Sequence, residues 1–223
     1  MTAGDFLRDP VLDALGIAHG FGTRRAPEPV GCRRPHQVHG AVVARLDDTG
    51  QVMPEEADAL VGRRVGVPVA VVTADCVPVL LATVSGRAVA AVHAGWRGLA
   101  AGVIGEAVGA LAALCEEPLA AAVGPHIGAC CYEVDAPVVE PLSARFGAAL
   151  NAALVPSRPG HHWIDLGRLV VADLHRAGVP AERVGTAAAL CTACDPSRFE
   201  SFRRDGASAG RLVHWVAAGA SPP

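Results

Sequence analysis

At 223 residues, with 51% apolar and 18% charged, the chain holds enough material for one ordinary folded core and is too apolar to be disordered. A formal net charge of -3 leaves no electrostatic footprint for nucleic acid or an acidic membrane surface. All 19 basic residues are arginine, which excludes Schiff-base chemistry, a lysine general base and a P-loop lysine. Any bound anion must therefore be met by arginine, backbone N–H groups or a metal.

In chain order, residues 1–10 carry Asp5, Arg8 and Asp9 and lack the apolar stretch of a secretory signal. Residues 27–35 are Pro-rich and read as loop. Residues 67–73 and 77–84 are β-branched apolar runs, and Ser85-Gly86 signals a turn before a third run at 88–94. Runs this apolar predict strands covered on both faces. A helix is predicted over 99–114 and a short strand over 119–123. Asp135 is placed to cap a helix running to about Asn151, and Asp165 another ending at Arg176 before Gly178. A last core strand is predicted over 184–190, with loop at 156–159 and a frayed end at 221–223. The apolar stretches 65–86 and 98–115 are broken by Asp75, Pro78 and Glu106, so neither reads as a membrane span. Interleaved strands and helices define a mixed α+β class with hairpin and crossover connections, in one domain spanning 1–223.

Seven cysteines, an odd number, argue against a disulfide framework and for a reducing cytoplasm. Cys191 and Cys194 form a CxxC, but the second pair that a structural zinc site needs is not apparent, which favours small buried residues.

Reactive side chains concentrate where the predicted strands end, in the segments 36–40 (His-Gln-Val-His-Gly), 73–78 (Thr-Ala-Asp-Cys-Val-Pro) and 93–98 (His-Ala-Gly-Trp-Arg-Gly). Counting back from the Ser85-Gly86 turn places Cys76 opposite a residue near Gly95, within two or three residues of His93. His39 can add a third ligand. Two imidazoles and a thiol suit zinc with an open fourth position; a nucleophilic Cys76–His93 pair fits the same residues. Gly95 to Gly98, with Arg97, leads into a helix N-terminus suited to phosphate or serving as turn chemistry. Gly124 opens a second Gly-rich loop that leads to Cys130 and Cys131 and can line the pocket.

These blocks, with Gly22-Thr23-Arg24, Gln37-Val38-His39-Gly40, Ala57-Asp58-Ala59-Leu60-Val61, Asp165-Leu166, Cys191-Thr192, Phe199 to Asp205 and Gly210-Arg211, resemble the laccase-domain family of purine nucleoside phosphorylases, YfiH type, formerly regarded as multicopper polyphenol oxidases. The resemblance covers most of the chain. It implies β-sheets sandwiched between helices in α/β/β/α-like layers. It implies Zn2+ held by His39, Cys76 and His93, with copper the lesser alternative. It further implies phosphorolysis of adenosine, inosine, guanosine and methylthioadenosine to base and ribose 1-phosphate, with adenosine deamination at the same site, in a monomer or homodimer. Catalytic roles fall to Cys76, His93 and Asp75, and phosphate or substrate contacts to Arg24, Arg97, Gly98 and Gly124. The family's longer segment before Gln37 is reduced here to residues 25–36, and its Phe-Phe-Ser-Tyr-Arg-Arg run reads Phe-Glu-Ser-Phe-Arg-Arg at 199–204. Rival readings are a cysteine hydrolase using Cys76 and His93, a copper oxidase, and a shortened binding protein without turnover.

Overall fold

The run at residues 77–83 becomes an inner strand of the larger sheet, and each of its seven residues is buried. The computed structural model describes residues 6–219, so the expectations for residues 1–5 and 221–223 lie outside it. Its first half comprises β1 (Phe6–Leu7), α1 (Pro10–Ala14), β2 (Ala18–Gly22), β3 (Val43–Leu46), β4 (Val52–Met53), β5 (Ala59–Gly62), β6 (Pro68–Thr73), β7 (Val77–Thr83) and β8 (Val89–Ala94). Then follow α2 (Trp96–Ala101), α3 (Val103–Leu114), β9 (Leu119–Val123), β10 (Glu133–Val134), α4 (Ala136–Phe146), β11 (Leu154–Pro156) and β12 (His162–Ile164). The chain closes with α5 (Leu166–Arg176), β13 (Val184–Gly185), α6 (Phe202–Asp205) and β14 (Leu212–Ala217).

Two sheets carry the core. A seven-stranded sheet runs β13-β9-β7-β8-β5-β3-β4 and a four-stranded sheet β1-β2-β14-β6, with a small sheet β10-β12-β11 beside them. Strand parity divides the buried side chains. Val77, Val79 and Leu81 of β7 face Leu99, Ile104, Leu111, Leu142 and Leu174 of the helices. Leu80 and Ala82 face Phe21, Val69, Val71 and Val216 of the second sheet. Both faces are thus covered, as the unbroken apolar runs predict. The outer face of the four-stranded sheet carries Ala70, Trp215 and Ala217, packed by Phe6, Cys32 and Val213. The class is mixed α+β, with sheets layered against helices. Antiparallel hairpins coexist with the parallel pairs β3–β5 and β13–β9.

Several predicted bounds shift for local reasons. The helix expected over 99–114 begins at Trp96 and is divided by Gly102, which sits at φ 91° where an L side chain is strained. Asp135 precedes α4 without a capping bond from its side chain, and the segment after Phe146 tightens into a 3₁₀ helix, Gly147–Ala152. Asp165 does cap α5, accepting from Arg168 N. The strand expected over 184–190 shrinks to Val184–Gly185, because the Asp9 carboxylate takes the Ala187 N–H. Residues 154–156, read partly as loop, form an edge strand where a proline is tolerated.

Candidate functional site

The hairpin β7–β8 sets the first part of the site. Its ladder pairs Val77 with Ala94 and Pro78 with His93, so Cys76 lies opposite Gly95, and parity puts Cys76 and His93 on the face toward the second sheet. Gly95 leaves that space open: a Cβ there would stand 3.1 Å from Cys76 Sγ and 3.4 Å from His39 Cδ2. His39 arrives from the segment before β3 with a left-handed backbone, φ 62°. The donor atoms of His39, Cys76 and His93 all lie within 4.8 Å of one another. The two imidazole rings meet edge to face with centroids 4.8 Å apart.

Asp58, fully buried at the start of β5, organises this centre. Its carboxylate accepts from His39 N (2.9 Å) and Gly40 N (2.6 Å), with a longer bond from Val38 N, and holds His93 Nδ1 at 2.8 Å. One side chain therefore folds the loop bearing His39 and orients the ring of His93. With Nδ1 engaged, His93 Nε2 is the nitrogen left for the Cys76 side. Burial opposes ionisation of Asp58, but the His93 and backbone bonds outweigh it and hold the carboxyl below its usual range. Burial likewise disfavours imidazolium at His93, yet Asp58 and Cys76 raise it to about 9. Burial pushes the Cys76 thiol up, while bonds and charge from His39 and His93 bring it down to about 7. The sequence marks Asp58 as part of the Ala57-Asp58-Ala59-Leu60-Val61 block, without giving it a role. A carboxylate placed among apolar residues must find donors, and that is the physical signal of its function.

This centre opens into a cavity of about 820 Å³ lined by residues from both sheets and from the loops above them. Asp75 lines it too, at φ 93°, but its carboxylate is committed: Oδ1 accepts from Thr192 Oγ1 and Oδ2 from Arg203 N, each at 2.6 Å. Arg97 lines the cavity and stacks on Trp96 at 4.4 Å, and Arg203 stacks on Tyr132 at 4.8 Å. Burial, then the neighbouring Cys76, lifts the Tyr132 phenol to about 12. Arg211, from the Gly210-Arg211 piece of the resemblance, and Arg34, which the motifs do not single out, are further lining guanidiniums. Gln37 fastens the rim by donating to Val72 O and accepting from Val72 N at the edge of β6.

Arg24, Gly98 and Gly124 are not among the lining residues. Arg24 is occupied by Glu200 (3.0 Å), Asp205 (3.2 Å) and the Phe199 carbonyl. Gly98 is small because a Cβ would approach Gly40 O to 2.8 Å, and Gly124 because a Cβ would collide with the Phe21 ring. A second cluster corrects the reading of the CxxC. Cys130 and Cys131 supply its missing pair, and the four sulfurs of Cys130, Cys131, Cys191 and Cys194 lie within 4.8 Å of one another. Cys130 and Cys194 are exposed rather than buried. Among the described residues, no helix is long and apolar enough to cross a membrane.

A His–Cys–His donor set at the mouth of a two-sheet sandwich, opening on an arginine-lined cavity, defines a mixed α+β protein with a candidate metal centre. The family model described as multi-copper polyphenol oxidoreductase laccase matches residues 24–219, and the chain belongs to that family. It is 44% identical over 191 residues to a purine nucleoside phosphorylase of Xylella fastidiosa, covering 82% of this chain and 72% of that protein. It is 36% identical to purine nucleoside phosphorylase YfiH of Escherichia coli, covering 81% and 71%. The crystal structure of YlmD from Geobacillus stearothermophilus superposes with a TM-score of 0.86 at 25% identity, covering 99% of this chain and 98% of the other.

Proposed function

We propose that the chain, read as one domain over 1–223, is a cytoplasmic zinc-dependent purine nucleoside phosphorylase. It would convert adenosine, inosine, guanosine or methylthioadenosine, with phosphate, to base and ribose 1-phosphate. Adenosine deamination would use the same cavity. The observation that carries the reading is the convergence of His39, Cys76 and His93 in the lining of the cavity, in a chain whose relatives bear that enzyme's name.

The donor set fits zinc. Two nitrogens and a sulfur are within reach of one ion, and one ring is locked by a buried carboxylate, the arrangement that fixes a ligating imidazole's tautomer. A multi-copper oxidase needs several copper centres, whereas the described residues gather one such set and one all-thiol cluster. When bound, the metal supplies Lewis-acid polarisation to an oxygen-bearing reactant. The protein's own groups supply the rest. Arg34, Arg97, Arg203 and Arg211 line the cavity, while both oxygens of Asp75 are already hydrogen-bonded. The cavity is thus a place for an oxyanion such as phosphate despite the chain's negative net charge. Trp96, Tyr132 and Phe202 offer flat faces to a purine. Stacking on Trp96 and Tyr132 holds Arg97 and Arg203 in place, which favours a pre-set geometry over one assembled on binding.

The test is a nucleoside panel with and without phosphate, on the parent and on His39→Ala, Cys76→Ala and His93→Ala. Ribose 1-phosphate forming only with phosphate, and lost in all three variants, is the expected result; full activity in all three overturns it. A second reading, a cysteine hydrolase, draws on the Cys76 thiol held near 7 by two imidazoles. It requires activity that survives chelation and is abolished by a thiol reagent.

A further inference from the structure

We propose that Cys130, Cys131, Cys191 and Cys194 form a second metal site, a tetrathiolate centre for a single zinc-like divalent ion that staples together the two loops forming one wall of the cavity. The two cysteine pairs come from turns about sixty residues apart in the chain, brought side by side by the bridge between His126 and Cys191. Cys194 Sγ lies 3.5 Å from Cys130 Sγ and 3.4 Å from Cys131 Sγ. Every sulfur pair is within 4.8 Å. Four thiolates at a zinc–sulfur distance of about 2.3 Å stand about 3.8 Å apart at the corners of a tetrahedron. The observed spacing is near that figure. It is too long for a sulfur–sulfur bond of about 2.05 Å. All seven cysteines are free thiols.

The surroundings are built for sulfur. Gly128 N donates to Cys191 Sγ at 3.3 Å, the kind of backbone bond that supports a ligating thiolate. A Cβ at Gly128 would press to 3.3 Å on both Cys130 Sγ and Cys191 Cβ. The cluster lies at the surface, with Cys130 and Cys194 exposed, and none of the four belongs to a hydrophobic core cluster. A metal commonly replaces a core where loops must be held rigid without one. What these loops hold is specific. The first carries Ile127 and Tyr132 into the cavity lining; the second places Thr192 on Asp75 and leads to Phe202 and Arg203. Further ties run from Arg203 Nη1 to Glu133 O and from Arg204 Nη1 to Thr192 O. The site's role is therefore to position the wall, not to contact substrate.

The deciding experiment uses Cys76→Ala, which disables the His–Cys–His set and leaves the four thiols intact, so failure here and failure of the catalytic reading are separable. Purified under reducing conditions and supplied with Zn2+ alone, this variant is expected to retain one equivalent of zinc, with an absorption-edge spectrum showing a sulfur-only shell at about 2.3 Å. Cys191→Ser/Cys194→Ser, made in the parent, is expected to lose one equivalent of zinc relative to it while keeping the nitrogen-containing shell. Cys76→Ala that binds no zinc, or binds it with nitrogen in the shell, overturns the proposal. So does the isolation of a disulfide among these four residues after reduction. Should the double serine variant fail to fold, the spectrum of Cys76→Ala still decides.

Discussion

Replacing Asp58 by asparagine removes one oxygen and one charge at the point where the loop of His39 and the ring of His93 are both fastened. Oδ1 serves His39 N and His93 Nδ1, and Oδ2 serves Gly40 N and, at 3.3 Å, Val38 N. An amide cannot serve both pairs. If its NH2 takes the Oδ2 position, two backbone N–H groups face a donor; at about 1–3 kcal/mol for each buried group left unpaired, the cost is about 2–6 kcal/mol. If the amide turns over, His39 N is orphaned. His93 must then accept at Nδ1 and carry its proton on Nε2, the nitrogen needed by the metal. Either orientation damages the site, and loss of such a partner typically lowers metal affinity about 10–100-fold. The assay is urea unfolding of the metal-free protein, paired with zinc competition against a chromophoric chelator. The expected result is a lower midpoint at unchanged slope and weaker zinc binding. An Asp58→Asn protein with parental midpoint and parental zinc affinity would refute the assignment of Asp58 as the organiser of the centre.

Gly95→Ala introduces a methyl at 3.1 Å from Cys76 Sγ, so zinc affinity and turnover should fall together while circular dichroism stays unchanged; parental zinc affinity would count against the packing argument. Gly124→Ala drives a methyl into the fully buried Phe21 ring, and overpacking of that kind costs about 1–3 kcal/mol, read as a lower melting temperature. Leu80→Ala opens a cavity between the two sheets and should destabilise by about 2–5 kcal/mol, checked by chemical denaturation. His214 is buried between Thr73 and Gly22 N, and burial holds it down to about 3. Its unfolded form takes up a proton near pH 6.5 while the folded form does not, so stability is full above that pH and falls on acidification by about 1.4 kcal/mol per pH unit. Comparing denaturation midpoints at pH 6.5 and 5 for the parent and His214→Gln should show a shallower slope in the variant; equal slopes would exclude the assignment.

His93 and Cys76 act in opposite senses on the alkaline side. In the metal-free protein His93, raised to about 9, contributes stability that is present below its unfolded value and lost as pH rises through 9. Cys76, lowered to about 7, contributes stability that is lost as pH falls from its unfolded value through 7. Between pH 7 and 9 the two slopes offset each other. The pair therefore behaves as a thiolate and an imidazolium that appear together. A bound metal would take the place of the proton on His93 Nε2 and leave that on Nδ1 to Asp58, so the same three side chains fit a metal ligand set or a nucleophilic pair, two readings that activity after chelation separates.

What can be read along the chain and what cannot divides by how each contact is specified. The β7–β8 hairpin turns through residues 84–87, closed by Gly86 N donating to Thr83 O with Gly86 at a φ of 73°; the loop is symmetric about Ser85-Gly86, so the meeting of Cys76 and His93 is countable from that dipeptide. The double coverage of β7 is legible for a similar reason: no polar residue interrupts it. β14 is not legible, although it pairs with β2 and β6 across most of the chain length. Its sequence contains His214 and Trp215, which look like surface residues until the partners that bury them are known. The same holds for Asp58 and for the two cysteine pairs, whose neighbours come from distant turns. A lone buried acid announces that a partner exists, since it is not stable unpaired in an apolar interior, whereas the unmatched CxxC reads along the chain as small buried residues and gives no sign of Cys130 and Cys131. Naming that partner requires the strand order of the seven-stranded sheet, which sets β5 between β3 and β8 and β13 beside β9, and so brings residues 38–40 onto Asp58 and residues 130–131 beside 191–194.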